Sequence, residues 1–204
     1  MIVVPPNADG IAAAATAIRE GKIVAYPTET VYGLGVNPFD QDALSALFRI
    51  KGRDASAPIL LIVDSPQRLG VVCQHPSTKA LECVNRFWPG PLSLLFPKAP
   101  ALPDVLTAGN PKVCVRCPGS ETARALCAEA GGVITSTSAN LSGHPPATSL
   151  AEIALEGIAV GIDGGTLPPS SPSTVFDPDQ GIIIRHGAVQ QADLTPWLRP
   201  SIHP

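Results

Sequence analysis

A chain of 204 residues, 45% of them apolar, is long enough to bury one well-formed core and short for two. Its formal charge of -3 argues against a protein that grips nucleic acid through a broad phosphate-neutralising face, and leaves room for a local cluster of cations around a small anion. The start, MIVVPPNADG, has no basic segment leading into a long apolar one, and no apolar run of about 18 residues occurs, so the expectation is a cytoplasmic protein with no membrane partner.

In chain order, Asn7 or Asp9 can cap a helix over 12–20 that closes at Gly21, and an apolar strand follows over 23–26. A second helix starts near Asp40, turns Leu44, Leu47 and Phe48 inward, and runs out at "RIKGR". A strand is expected over 58–63 and a helix over 77–87, stopped by Trp88-Pro89-Gly90-Pro91. Further strands are expected over 92–96 and 113–116. Ser120 caps a helix ending near Gly131, and strand 133–135 leads into "STSANLSG". A short helix near 149–155 and strands over 159–162, 174–176 and 182–185 complete the pattern. Alternating short strands and helices argue an α/β chain, a twisted open sheet with flanking helices, with no linker that would divide residues 1–204.

Two stretches concentrate short polar groups where an apolar strand ends. "YPTETVYGLG", residues 26–35, offers Thr28, Glu29, Thr30 and Tyr32, with Gly33 and Gly35 allowing backbone to come close to something. In open α/β sheets ligands bind at such strand ends, but a turn whose hydroxyls satisfy only their own backbone reads the same way. "ITSTSANLSG", residues 134–143, repeats the pattern, and in an extended segment Ser136, Ser138 and Asn140 point one way. Together they suggest one cleft, although a helix-capping region would also use hydroxyls.

Cations gather at the end of the second helix, where Arg49, Lys51 and Arg53 surround Gly52. They either complement the helix dipole or form a phosphate clamp, in which Arg53 is a fork and Lys51 a point charge, both exposed at the helix end. Neither a Walker loop nor G-x-G-x-x-G occurs. Arg116, in the apolar "VCVRCPG", would be costly to bury without an anion, and Arg185 ends a second apolar run. Five cysteines, an odd number, argue against a disulfide framework, and the single C-x-x-C of Cys114 and Cys117 has no second pair or nearby histidine to complete a zinc site.

Taken together, these segments resemble the YrdC-like family of threonylcarbamoyl-AMP synthases. The resemblance rests on "PTETVYGLG", the K-x-R of Lys51 and Arg53, "WPGPLSLLF", "VRCP", "TSTSANLSG", "PSTVFD" and "IIIRHGAV", in family order over residues 10–189. It implies a single-domain YrdC-like fold, core about 10–189 with a short extension over 190–204, whose concave face binds ligands. It also implies a nucleotidyltransferase joining L-threonine, bicarbonate and ATP, with Mg2+ carried chiefly by the triphosphate. Its product would serve tRNA threonylcarbamoyladenosine modification through a downstream threonylcarbamoyl transferase complex, with at most a weak tRNA contact. Carried over by position, Lys51 and Arg53 are the catalytic phosphate clamp. Thr28, Thr30, Arg116, Ser136 and Ser173 face threonine, and Ser138, Asn140 and Arg185 join the clamp on the nucleotide.

The chain departs from the family's K-x-R-P-x-x-N-P-L in "KGRDASAPIL", where Asp54 and Ala57 replace a proline and an ATP-contacting asparagine. Ile62 stands where relatives often place a histidine near threonine, Lys112 where they often have threonine, and Pro146 in a loop that can touch the nucleotide. An RNA-binding module on the same concave surface, or a paralogue without synthase activity, are the alternative readings.

Overall fold

The computed structural model describes residues 1–52 and 57–200. Its strands are β1 (Ile2–Val4), β2 (Ile23–Pro27), β3 (Tyr32–Gly35), β4 (Leu61–Val63), β5 (Leu92–Pro97), β6 (Lys112–Arg116), β7 (Val133–Thr135), β8 (Thr137–Ser138), β9 (Ile158–Ile162), β10 (Thr174–Asp177) and β11 (Ile182–Arg185). The helices are α1 (Ala8–Arg19), α2 (Gln41–Ile50), α3 (Leu69–Val72), α4 (Thr78–Phe87), α5 (Asp104–Thr107), α6 (Glu121–Glu129) and α7 (Gln191–Leu194).

Helix starts follow side-chain chemistry. Asn7 accepts from the Gly10 amide, Asp40 from Asp42 and Ala43, Ser77 from Ala80 and Ser120 from Ala123, each supplying a partner to an amide the helix itself leaves orphaned. Gly21, at φ +75°, ends α1 in the left-handed conformation that lets the Lys22 amide reach back to the Ala17 carbonyl at 2.9 Å. The predicted helix near 149–155 is only a 3-10 turn, Leu150–Glu152, and the strand expected over 58–63 shortens to β4.

The expected single sheet is two mixed sheets. One runs β1-β9-β2-β3-β8 and the other β11-β10-β5-β6-β4-β7. Strand β2 explains its own apolarity: Ile23 and Ala25 face one hydrophobic cluster while Val24 and Tyr26 face another, so both faces are buried. The first cluster lies under α2 and α4, where Leu44 and Leu47 are fully buried, each worth roughly 1.5–3 kcal/mol. The second lies under α1 and α6.

The sheets join at a seam one residue wide. Strand β7 belongs to one sheet and β8 to the other, with Ser136 alone between them. The Thr135 amide donates to the Val36 carbonyl at 3.0 Å, the Val36 amide donates to Thr135 Oγ1 at 2.9 Å, and the Ser136 amide donates to the Leu60 carbonyl at 2.7 Å. Tyr26 braces the same place, its hydroxyl donating to the Thr135 carbonyl at 3.0 Å. Its ring explains the two glycines: a Cβ on Gly35 would stand 2.9 Å from Tyr26 Cε1, and one on Gly33 3.2 Å from Tyr26 Cζ.

Candidate functional site

A cleft of about 470 Å³ opens along this seam. From the first polar stretch, Thr28 and Thr30 line it; from the second, Ser136, Ser138 and Asn140 do. Lys51, Arg116, Ser173 and Arg185 complete the set of named residues that the structure brings together. Arg53 and Asp54 lie outside the described residues. Ser142, Gly143 and His144 also line the cleft, and the sequence offered only the loop glycine as a hint of them.

Each polar group has a definite commitment. Thr28 Oγ1 donates to the Val31 carbonyl at 2.7 Å and accepts from the amides of Thr30 at 3.1 Å and Val31 at 3.2 Å, so its hydroxyl is spent on the turn. Thr30 Oγ1 lies 3.0 Å from it. Tyr32, expected at the strand end, is buried in β3, where its hydroxyl donates to the Gly165 carbonyl at 2.8 Å and accepts from the Gly164 amide at 2.9 Å.

Lys51 is not exposed at the helix end. It is the C-cap of α2 and only 3% exposed, with Nζ donating to the Ser138 carbonyl at 2.5 Å and the Asn140 carbonyl at 2.8 Å. The cation thus pins the second polar stretch to the end of α2. Asn140 Nδ2 in turn donates to the carbonyls of Leu141 at 2.9 Å and His144 at 2.5 Å, which leaves Oδ1 buried without a partner.

Arg116 is 3% exposed, and its anion is supplied by the protein: Nη1 donates to Glu29 Oε1 at 2.9 Å. Its Nε is buried with no partner. Buried donors and acceptors are rarely left unpaired, and as Arg116 Nε and Asn140 Oδ1 are closed to solvent, a ligand atom would pair with them only after a small shift of the side chain. Arg185 ends an exposed edge strand rather than a core one. Its guanidinium nonetheless turns inward, Nη2 donating to the Ser173 carbonyl at 2.8 Å and to Ser173 Oγ at 3.0 Å. The residue as a whole stays exposed, but partial desolvation of the inward-turned guanidinium lowers it from its ordinary value, and the nearby charge of Arg116 adds to that.

Among the described residues, three cationic side chains and one histidine line the cleft and no carboxylate does. A chain of net charge -3 therefore carries a locally positive hollow. Two departures noted in the sequence fall elsewhere. Ile62 is fully buried in the cluster under α1 and α6, and Lys112 bridges Asp177 at 2.8 Å and Asp179 at 3.1 Å. Burial alone would pull the Lys112 ammonium down, but its bonds to the two aspartates outweigh that and hold it above its ordinary value.

All the cysteines are free thiols. Burial pushes Cys73 and Cys117 up to about 11 and Cys83 and Cys114 up to about 12. Since each pKa unit is tenfold in thiolate, iodoacetamide at pH 8 should label the native protein at least about 100-fold more slowly than the urea-unfolded chain. Rapid native labelling followed by mass mapping to any of these residues would refute that ordering.

A family model named Sua5_yciO_yrdC, described as "Telomere recombination", matches residues 16–187. The chain belongs to the Sua5/YciO/YrdC family. Within it, this member is 42% identical over 167 residues to the threonylcarbamoyl-AMP synthase of Pyrococcus abyssi, covering 80% of this chain and 49% of that protein. It is 40% identical over 170 residues to the threonylcarbamoyl-AMP synthase of Thiobacillus denitrificans, covering 82% of this chain and 90% of that one. The crystal structure of P. abyssi Sua5 complexed with L-threonine superposes with a TM-score of 0.90 at 37% identity, over 97% of this chain and 61% of that one. This Sua5/YciO/YrdC member thus spans about half the length of the P. abyssi synthase and nearly all of the T. denitrificans one.

Proposed function

We propose that this chain is an L-threonylcarbamoyladenylate synthase, a nucleotidyltransferase that forms threonylcarbamoyl-AMP and pyrophosphate from L-threonine, bicarbonate and ATP. The observation that carries this reading is the wall of the cleft, where hydroxyls from both polar stretches meet Lys51, Arg116 and Arg185. Such a wall suits a small hydroxylated amino acid beside a polyanion, and a volume of about 470 Å³ is in the range of small-molecule sites. The L-threonine complex of P. abyssi Sua5 and the relatives named threonylcarbamoyl-AMP synthase support the same assignment.

The chemistry asks mainly for positioning and charge neutralisation. Bicarbonate sheds hydroxide to give carbon dioxide, threonine's amine adds to that carbon, and the amine's proton ends with the hydroxide as water, leaving a carbamate. A carbamate oxygen then attacks the α-phosphorus of ATP and pyrophosphate leaves. Arg116 holds the threonine carboxylate through its unpartnered Nε edge, and Thr30, Ser136 and Ser173 stand around the rest of the amino acid. Lys51 takes the phosphates together with Arg53, while Ser138, Asn140 and Arg185 hold the nucleoside part. Magnesium would come with ATP, held chiefly by the triphosphate. Among the described residues no helix is long and apolar enough to cross a membrane. A cytoplasmic setting beside a tRNA-modifying threonylcarbamoyl transferase fits an adenylate that has to be handed on.

Pyrophosphate should appear only when ATP, L-threonine and bicarbonate are all present. Release that ignores threonine would sink the assignment. L-Serine should be the poorer substrate, since a pocket shaped to a methyl loses about 0.8 kcal/mol with that group and rarely more than about 3.

A further inference from the structure

Glu29 is the one charged residue of "PTETVYGLG", and the functions assigned above leave it without a role. Its carboxylate collects three donors from two other segments. Oε1 accepts from Arg116 Nη1 at 2.9 Å and from the Gly119 amide at 2.9 Å, and Oε2 accepts from the Ser120 amide at 3.4 Å. Glu29 does not line the cleft, whereas Thr28, Thr30 and Arg116 do. The carboxylate therefore stands behind the wall and ties the threonine turn to the end of β6 and the start of α6.

We propose that Glu29 is a positioning residue that aims the Arg116 guanidinium at the carboxylate of an amino-acid substrate, an inference that rests on the threonine reading above. A guanidinium is planar, so fixing Nη1 also fixes the plane and leaves the edge carrying Nε as the one that meets a ligand. Nε has no protein partner, as this geometry requires, and a small shift of the side chain would bring it to the ligand. The backbone amides of Gly119 and Ser120 hold the carboxylate in turn, so Arg116 is aimed by an anion that is itself anchored. The opposite role, an internal anion that the substrate displaces, would have Glu29 compete with threonine.

Calorimetric titration of L-threonine into the wild type and into Glu29→Gln, Arg116→Ala and the double variant separates these roles. Glutamine keeps the shape and loses the charge. Glu29→Gln is expected to weaken threonine binding about tenfold, the mid-range for residues coupled in one network, with ATP binding unchanged. In the Arg116→Ala background the same change should add nothing, because the residue it aims is gone. A general structural role would instead persist in that background and would weaken ATP as well. Unchanged threonine affinity, or tighter binding as for a displaced internal anion, overturns the proposal. A wild type that binds no threonine overturns the threonine reading, and this inference with it.

Discussion

Arg116→Ala is expected to raise the apparent KM for L-threonine by about 10- to 150-fold, the span that corresponds to losing a charged hydrogen-bonding group worth about 1.5–3 kcal/mol. The KM for ATP should hold within about threefold. The asymmetry follows from where the side chain sits. Arg116 is 3% exposed at the end of β6, and its unpartnered Nε is the donor assigned to the amino acid's carboxylate. Folding should survive, since Glu29 keeps the amides of Gly119 and Ser120 as donors once the arginine is gone. Arg116→Lys should rescue only in part: a point charge cannot give one donor to Glu29 and present a second, fixed edge to the substrate. Steady-state KM for both substrates in the two variants decides it. Equal effects on ATP and threonine, or full rescue by lysine, would mean that this arginine serves a different ligand.

Lys51→Ala should cost more and in two currencies. Turnover is expected to fall by about 100-fold or more in kcat/KM for ATP, because the cation proposed to hold the phosphates and the anchor of the Ser138 to Asn140 segment are removed together. Stability should fall by about 1–3 kcal/mol, since the carbonyls of Ser138 and Asn140 lose a charged donor inside the wall. For a domain of this size each kcal/mol moves Tm by about 2–4 °C. Calorimetric unfolding alongside initial rates checks both effects. Normal turnover with a lowered Tm would leave Lys51 a structural pin and return the phosphate to other groups.

The two effects of Lys51 also mark where reading the chain alone stops. Capping is local, so Asn7, Asp40, Ser77 and Ser120 announce their helices within three residues of sequence. A cation at a helix end is equally local and points to solvent by default; that Lys51 turns back into the cleft depends on carbonyls 87 and 89 residues away. The clustering of Ser136, Ser138 and Asn140 was readable because alternation survives the passage from β7 to β8. The same alternation hid the change of sheet, since a strand that leaves one sheet for another keeps its period of two. For Glu29 and Arg116, each stretch shows a charge in need of a counter-charge, and only the fold closes the 87-residue gap between them. Gly33 and Gly35 mark sites of close approach in the sequence; the approaching group is the Tyr26 ring, opposite Gly33 across the β2–β3 pair.

The one-residue seam at Ser136 has a thermodynamic corollary. Thr28 and Thr30 precede a strand of one sheet, Arg116 and Arg185 end strands of the other, and the cleft lies between. A molecule that touches both groups is therefore a cross-link, and its binding free energy is added to whatever holds the two sheets together. By mass action that addition grows as RT ln(1 + [L]/Kd), about 2.7 kcal/mol when free ligand stands at 100 times Kd. Occupancy thus becomes a mechanical property of the fold: the filled protein resists separation of its halves, and that resistance grows with the logarithm of ligand supply.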